Sequence, residues 1–368
     1  MTPRERVLKA LRKMDGNPDR VPLQFELCKQ HVEYFSKKLG MDVDITNNIF
    51  EDVTWRISAN ELRIKMGCDV ITVGASNPTG WVPVKDDKGV WANEYGMKMR
   101  QGPVYVDVLS GPLKDCETVE EVNAYRFPDP VAPGRYDKAE ELIKKYKDEY
   151  LIIGNIEVTI FSLTQQLLGM EKFFCDLQLE EEYVDRLMER CAEFQTAIGL
   201  ELISRGVDMI WSSDDFGSQT SLLISPEIFR KHVKPLFIKM NQTFKAAKPD
   251  IILALHCDGA VRPLLEDFVE MGFDIFNPVQ PGVPGHGPQD LKDAIGDRLV
   301  FWGAIDQQSL LPFGSDEELE ADIKEKMAIL GKDRGYMISP AHIIQADVSP
   351  ERIEKFIELC HKNGAIYD

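Results

Sequence analysis

The densest chemistry in the chain lies at 256–258, where the apolar run IILAL ends in His256, Cys257 and Asp258. An imidazole, a thiol and a carboxylate side by side raise three possibilities: a nucleophile, a metal site or a proton relay. Strand geometry sorts them, because residues i and i+2 share a face and i+1 points the other way. If His256 faces inward, Asp258 does too, and Cys257 turns outward to pack as a small hydrophobe. In the opposite phase Cys257 stands alone, with no histidine on its own face of the strand to activate it. The His-x-Asp pair is the better candidate.

A second histidine, His342, closes a similar run, GYMISPAH. Two imidazoles and a carboxylate supply nitrogen and oxygen ligands to zinc with a position left open for substrate. An aspartate that holds a histidine for acid/base work explains the pair as well. Both readings stand on the residues alone.

Something must bring these residues together. Eight short apolar or β-branched runs occur, at 21–27, 68–74, 150–158, 207–215, 250–259, 273–280, 299–306 and 335–342. Between most of them lie segments such as DKAEELIKKYKDE and SDEELEADIKEKMAILGK, whose apolar positions recur every three or four residues. This alternation predicts an α/β fold, a (β/α)8 TIM barrel spanning 1–368 as one domain. The rhythm breaks once: residues 80–110 alternate around a DDKG turn, and an inserted β-hairpin is expected there after the second strand. An open doubly wound sheet is the rival, weakened by the lack of a G-x-G-x-x-G after any strand.

Barrels of this kind draw their reactive groups from the C-terminal strand ends. Here those ends carry Glu26, Asn77, Asn155, Glu157, Asp214, Asp215, His256, Asp258, Asn277, Gln280, Asp306 and His342. Asp214 and Asp215 cannot both point inward. Asp215 is expected inside, because FGSQ continues from it into a polar loop, and Asp214 is expected to cap the turn that follows. Met209, Trp211 and Phe301 read as packing, and His31 and His361 as exposed.

Composition narrows the class. A formal charge of −18 without a Lys/Arg cluster argues against a nucleic-acid partner. Seven scattered cysteines with no C-x-x-C pair fit a reducing cytoplasm rather than a disulfide framework. The opening MTPRERVLKALRK is charged and helical in pattern, and no apolar run reaches membrane length, so neither export nor a membrane span is expected. A homo-oligomer remains compatible with all of this.

Several segments taken together resemble the uroporphyrinogen decarboxylase superfamily: TPRERVLKAL, GVDMIWSSDDFGSQTSLLISPEIFRKHVKP, ALHCDGAV, FWGAIDQQSLL and YMISPAHIIQADVSPERI. That superfamily of (β/α)8 barrels includes haem-pathway decarboxylases and cobalamin-dependent methyltransferases. The decarboxylases carry an arginine-rich RQAGR stretch after the first strand, whereas this chain reads FELCKQHVEYF there, without arginine. The methyltransferase branch is closer. Its thiol methylases hold zinc with a His-x-Cys on the fifth strand and a cysteine after the eighth; at those places stand His256, Asp258 and His342.

The resemblance therefore implies transfer of a methyl group from a small methylated donor (methoxy, amine or thiol) to a corrinoid on a partner protein, assisted by zinc. The harder ligand set favours a methoxy or other donor over a thiol. On this reading His256, Asp258 and His342 are the metal ligands, Glu157 and Asp215 the acid/base or auxiliary groups, and Glu26, Asn77, Gln219 and Gln280 line the substrate pocket. Two alternatives are a cofactor-free decarboxylase acting on a different acid, and a barrel that binds a ligand or corrinoid protein without catalysis. The convergence of ionisable groups disfavours the second.

Overall fold

A computed structural model describes residues 1–43, 56–102 and 106–367. Its strands in chain order are β1 (Val70–Gly74), β2 (Val90–Ala92), β3 (Lys98–Gln101), β4 (Val106–Ser110), β5 (Leu151–Glu157), β6 (Met209–Ser213), β7 (Ile252–His256), β8 (Ile275–Val279), β9 (Val300–Ile305) and β10 (Tyr336–Pro340). Seven of them form one curled parallel sheet in the order β1-β5-β6-β7-β8-β9-β10. Every residue of β7 is buried, as a strand must be when helices cover one face and interior side chains fill the other. The result is an α/β, TIM-barrel-like architecture with helices between successive strands.

The expectation of eight strands needs correction at the first run. Residues 21–27 form no strand; isolated bridges join Leu23 to Ile338 of β10 and Leu27 to Ile344 in the segment after it. The cause lies on the β1 side. The Leu23 carbonyl accepts from the Asp69 amide at 2.8 Å, but the Leu23 amide donates to the Asp69 carboxylate, also at 2.8 Å, so a side chain stands where a ladder carbonyl would be. Arg6 and Arg20 bind the same carboxylate at 2.8 and 2.7 Å. The run is docked between β10 and β1 by a buried ion cluster rather than zipped into the sheet.

The inserted segment also differs. In place of a hairpin, β2, β3 and β4 make a three-stranded antiparallel sheet; residues 103–105 of the expected 80–110 element lie outside the described residues. Two turns explain the change. The Asp86 carboxylate accepts from the amides of Lys88 and Val90, so the DDKG turn leads into β2 instead of joining two strands. The reversal between β2 and β3 uses Asn93, whose side-chain oxygen accepts from the amides of Tyr95 and Met97. Arg135, fully buried, ties this sheet to the end of β1: it forks onto Glu94 at 3.0 and 2.9 Å and donates to the Ser76 carbonyl at 2.9 Å.

His31 is buried rather than exposed, with Nε2 2.8 Å from the Val348 carbonyl oxygen. Its helix, Lys29–Leu39, turns that face toward the segment after β10. No helix among the described residues is long and apolar enough to cross a membrane.

Candidate metal centre at the strand ends

Parallel register sets Ser213 and His256, the last residues of β6 and β7, beside Asn277 in the middle of β8. His256 is 3% exposed, and its Nδ1 lies 2.7 Å from Asn277 Oδ1. Asn277 Nδ2 in turn donates to the Trp302 carbonyl at 3.4 Å, which fixes the amide so that its oxygen faces the imidazole. The Nδ1 must therefore carry a proton, and in the neutral ring Nε2 keeps its lone pair. That Nε2 faces Asp258 Oδ2 at 3.5 Å. His342 arrives from beyond β10, its ring 5.7 Å from that of His256. One ligand atom from each of His256, Asp258 and His342 falls within 4.8 Å of the others.

Charge divides the roles. Burial opposes ionisation of Asp258, but His256 and His342 outweigh it and hold its carboxyl at about 2. Burial presses His342 down to about 4. For His256, burial and the Arg56 charge push down while Asp258 and Asp215 push up, and the acids prevail. Asp215 is raised by burial and by neighbouring Asp258. A carboxylate, a neutral imidazole and an oriented imidazole with a displaceable proton make a donor set that fits a divalent ion such as zinc.

Beside this trio sits a residue that sequence reasoning missed. Arg56, 1% exposed, donates from Nε to Glu26 Oε2 at 2.9 Å and brings Nη1 within 2.8 Å of Glu157 Oε1. Its guanidinium lies 4.6 Å from the ring centre of Trp211, and Trp211 meets the His256 ring edge-on at 5.9 Å. Glu26 and Glu157 are thus bound to a cation rather than standing open to substrate. A buried arginine between two acids satisfies charges that would be costly apart. The only sequence signal was indirect: an acid ending an apolar run needs a partner.

The adjacent aspartates part company. Asp214 accepts from the amides of Ile160, Phe161 and Ser162 at 2.8, 2.9 and 2.8 Å. It caps the helix Phe161–Leu168 that follows β5, not the turn after its own strand as expected. Asp215 turns toward β7, its Oδ1 accepting from the Asp258 amide at 2.9 Å. Cys257 points away from the trio, its sulfur accepting from the Phe216 amide at 3.3 Å, and burial raises its thiol well above the ordinary range. The two loops interlock at glycine: at Gly259, with φ +90°, a Cβ would lie 2.3 Å from the Gly217 carbonyl carbon.

A cleft of about 520 Å³ opens over Asp258 and His342, with Gln219, Gln280, Asp306 and Gln307 also in its lining. Gln280 ties two of its loops, donating to Gln219 at 3.1 Å and accepting from the Gly259 amide at 2.8 Å.

A family model described as uroporphyrinogen decarboxylase (URO-D) matches residues 89–363. The chain belongs to the uroporphyrinogen decarboxylase family. It is 26% identical over 259 residues to the methylcobamide:CoM methyltransferase MtbA of Methanosarcina mazei, covering 70% of this chain and 71% of that one. It is 23% identical over 342 residues to the uroporphyrinogen decarboxylase of Thermus thermophilus, covering 92% and 85%. Among solved structures, a methyltransferase from Methanosarcina mazei superposes with a TM-score of 0.69 at 18% identity, over 98% of this chain and 99% of that one. That likeness is one of fold.

Against this family background the sequence-based candidates separate: Gln219 and Gln280 line the cleft, and the others fall into three groups. His256, Asp258 and His342 converge, with Asp215 bonded to the Asp258 backbone. Glu26 and Glu157 meet at Arg56. Asn77 does not line the cleft; its amide oxygen and nitrogen are both buried without a hydrogen-bond partner among the described residues. Trp211, read as packing, is buried as expected, yet its ring lies tilted against Trp302 with centres 4.5 Å apart and also meets Arg56 and His256.

Proposed function

We propose that this protein is a methyltransferase that moves a methyl group from a small methylated donor to the reduced cobalt of a corrinoid carried by a partner protein. The observation that carries the reading is the convergence of His256, Asp258 and His342 within 4.8 Å at the strand ends. Similarity to a methyltransferase whose name couples a methylcobamide to CoM supports corrinoid-related methyl transfer. His256, Asp258 and His342 would hold zinc, and the bound ion would act as a Lewis acid on the donor heteroatom.

The chain's own residues supply the rest. The cobalt nucleophile takes the methyl group, the bond to the heteroatom breaks with its electron pair, and the leaving heteroatom must gain a proton. Asp215 is suited to give it, since burial and the neighbouring Asp258 charge favour its protonated form. Asp258 keeps its charge and Asn277 keeps the His256 ring in place. Arg56 holds Glu157 as an auxiliary group. Gln219 and Gln280 offer amide groups to a polar donor. An oxygen or nitrogen donor suits this ligand set better than a thiol.

The decarboxylase alternative finds less support. Among the described residues the cleft lining contains no lysine or arginine, so a polycarboxylate would meet no counter-charge from them. Metal analysis of the purified protein and of a His256→Ala variant tests the site. The proposal requires near-stoichiometric metal that the substitution removes; a metal-free protein with full methyl-transfer activity would take the ion out of the mechanism.

A further inference from the structure

Next to the catalytic cleft lies a second and larger groove, of about 1020 Å³, walled by the continuation of the same loops. Residues 217–219 line the cleft and 220–226 the groove; Gly259 faces the cleft, and Ala260 and Arg262 the groove. Phe174 and Leu177, on the helix Met170–Gln178, form part of its wall. Leu223, also in the lining, is 42% exposed.

The charge pattern of the groove is unlike that of the molecule. In a chain with 61 acidic residues and a formal charge of −18, its lining among the described residues has no aspartate, glutamate or lysine and a single cation, Arg262. Among the described residues that guanidinium makes no hydrogen bond or ion pair. Its acidic neighbour Glu266 gives both oxygens to Arg298, at 2.6 and 2.8 Å. The stem, by contrast, is held. At Gly285, with φ +74°, a Cβ would come within 2.8 Å of Arg262 Cγ, so only glycine lets the stem lie against the wall.

We propose that this groove binds an amphipathic organic anion, its apolar body against Phe174, Leu177 and Leu223 and its carboxylate on Arg262. A fixed arginine with free donors in an apolar wall is the arrangement that recognises a carboxylate bidentately. An apolar cation meets no acid there, and a neutral apolar molecule leaves the guanidinium unpaired. The volume suits a molecule of drug-like size. None of the metal-ligand candidates takes part, so the site is independent of the proposed methyl transfer.

Titration calorimetry with decanoate and with decylammonium, each below its micelle concentration, tests the inference. Decanoate binds with one-to-one stoichiometry and decylammonium does not. Arg262→Gln weakens decanoate about tenfold or more, Leu223→Asp weakens it as well, and His256→Ala leaves it unchanged. Because the guanidinium makes no internal bond, the Arg262→Gln protein keeps the wild-type melting midpoint. Absent decanoate binding, equal binding of the ammonium, or an Arg262→Gln variant that binds like the wild type overturns the proposal. So does sedimentation showing a dimer that Leu223→Asp dissociates, since the groove would then be an interface between copies.

Discussion

His256 Nδ1 lies 2.7 Å from Asn277 Oδ1, and this single hydrogen bond decides which face of the imidazole is available for chemistry. It leaves Nε2 facing Asp258 and commits the ring to a ligand's orientation. Asn277→Leu removes the acceptor. The variant should fold but bind zinc about 10–100-fold more weakly, measured by competition with a chromogenic chelator. Wild-type affinity in Asn277→Leu would mean that the hydrogen bond does not orient a ligand.

Asp214 and Asp215 should separate by phenotype despite being neighbours. Asp214→Ala leaves three helix-terminal amides without their acceptor and should cost about 2–4 kcal/mol of stability in urea unfolding. Asp215→Asn should lose activity with little change in stability. The reverse pattern would exchange their roles.

Arg56 joins Glu26 to Glu157 in a buried site. Arg56→Gln strands two carboxylates and should destabilise the protein by about 3–5 kcal/mol. Adding Glu26→Gln should recover part of that loss, because one stranded charge is gone. Chemical denaturation of the single and double variants reads the coupling directly, and strict additivity would refute it.

Acid should weaken the metal-stripped protein through His342. The native ring resists protonation down to about 4, against an ordinary value of 6.5. Between those values the unfolded chain binds more protons, so stability falls as pH falls. Asp258 acts lower, its contribution being present above the ordinary carboxylate range and lost as pH drops toward about 2. His256, raised, contributes below its ordinary value and loses that contribution as pH rises through the raised one. His342→Gln should therefore flatten the melting curve against pH between about 6.5 and 4. An unchanged slope would show that His342 titrates normally.

Cys257 should be inert. Its buried thiol is held well above the ordinary range, so iodoacetamide applied to the native protein should label exposed Cys175 and spare Cys257. Cys257→Ala should keep full activity at a stability cost of about 1 kcal/mol. Loss of activity without loss of fold would restore the thiol to the mechanism.

What the sequence reveals depends on the range of the interaction. The His-x-Asp pair follows from a two-residue rule, and strand alternation alone turns Cys257 away from it. Parallel strands announce themselves as apolar runs, which is why β5 to β10 stand close to their expected places. The first run failed because Asp69, more than forty residues away in sequence, supplies a side chain where the ladder needed a carbonyl. The three-stranded insert was hidden because Asn93 builds a turn as well as Asp86 does, and only the DDKG turn has an obvious signature. Arg56 lies in no strand, so no periodicity points to it, and the helix that Asp214 caps belongs to a different strand–helix unit.

The central claim is methyl transfer at the His256–Asp258–His342 site. It is tested most directly by following methylcobalamin formation from cob(I)alamin in the presence of methoxy, methylamine or thiol donors, with zinc-loaded wild-type and His256→Ala proteins side by side. The account predicts methylation with an oxygen or nitrogen donor and a loss of at least about 100-fold in the variant, on the order of 3 kcal/mol in the barrier. No methylation from any donor, together with carbon dioxide release from a porphyrinogen by the same preparation, would contradict it.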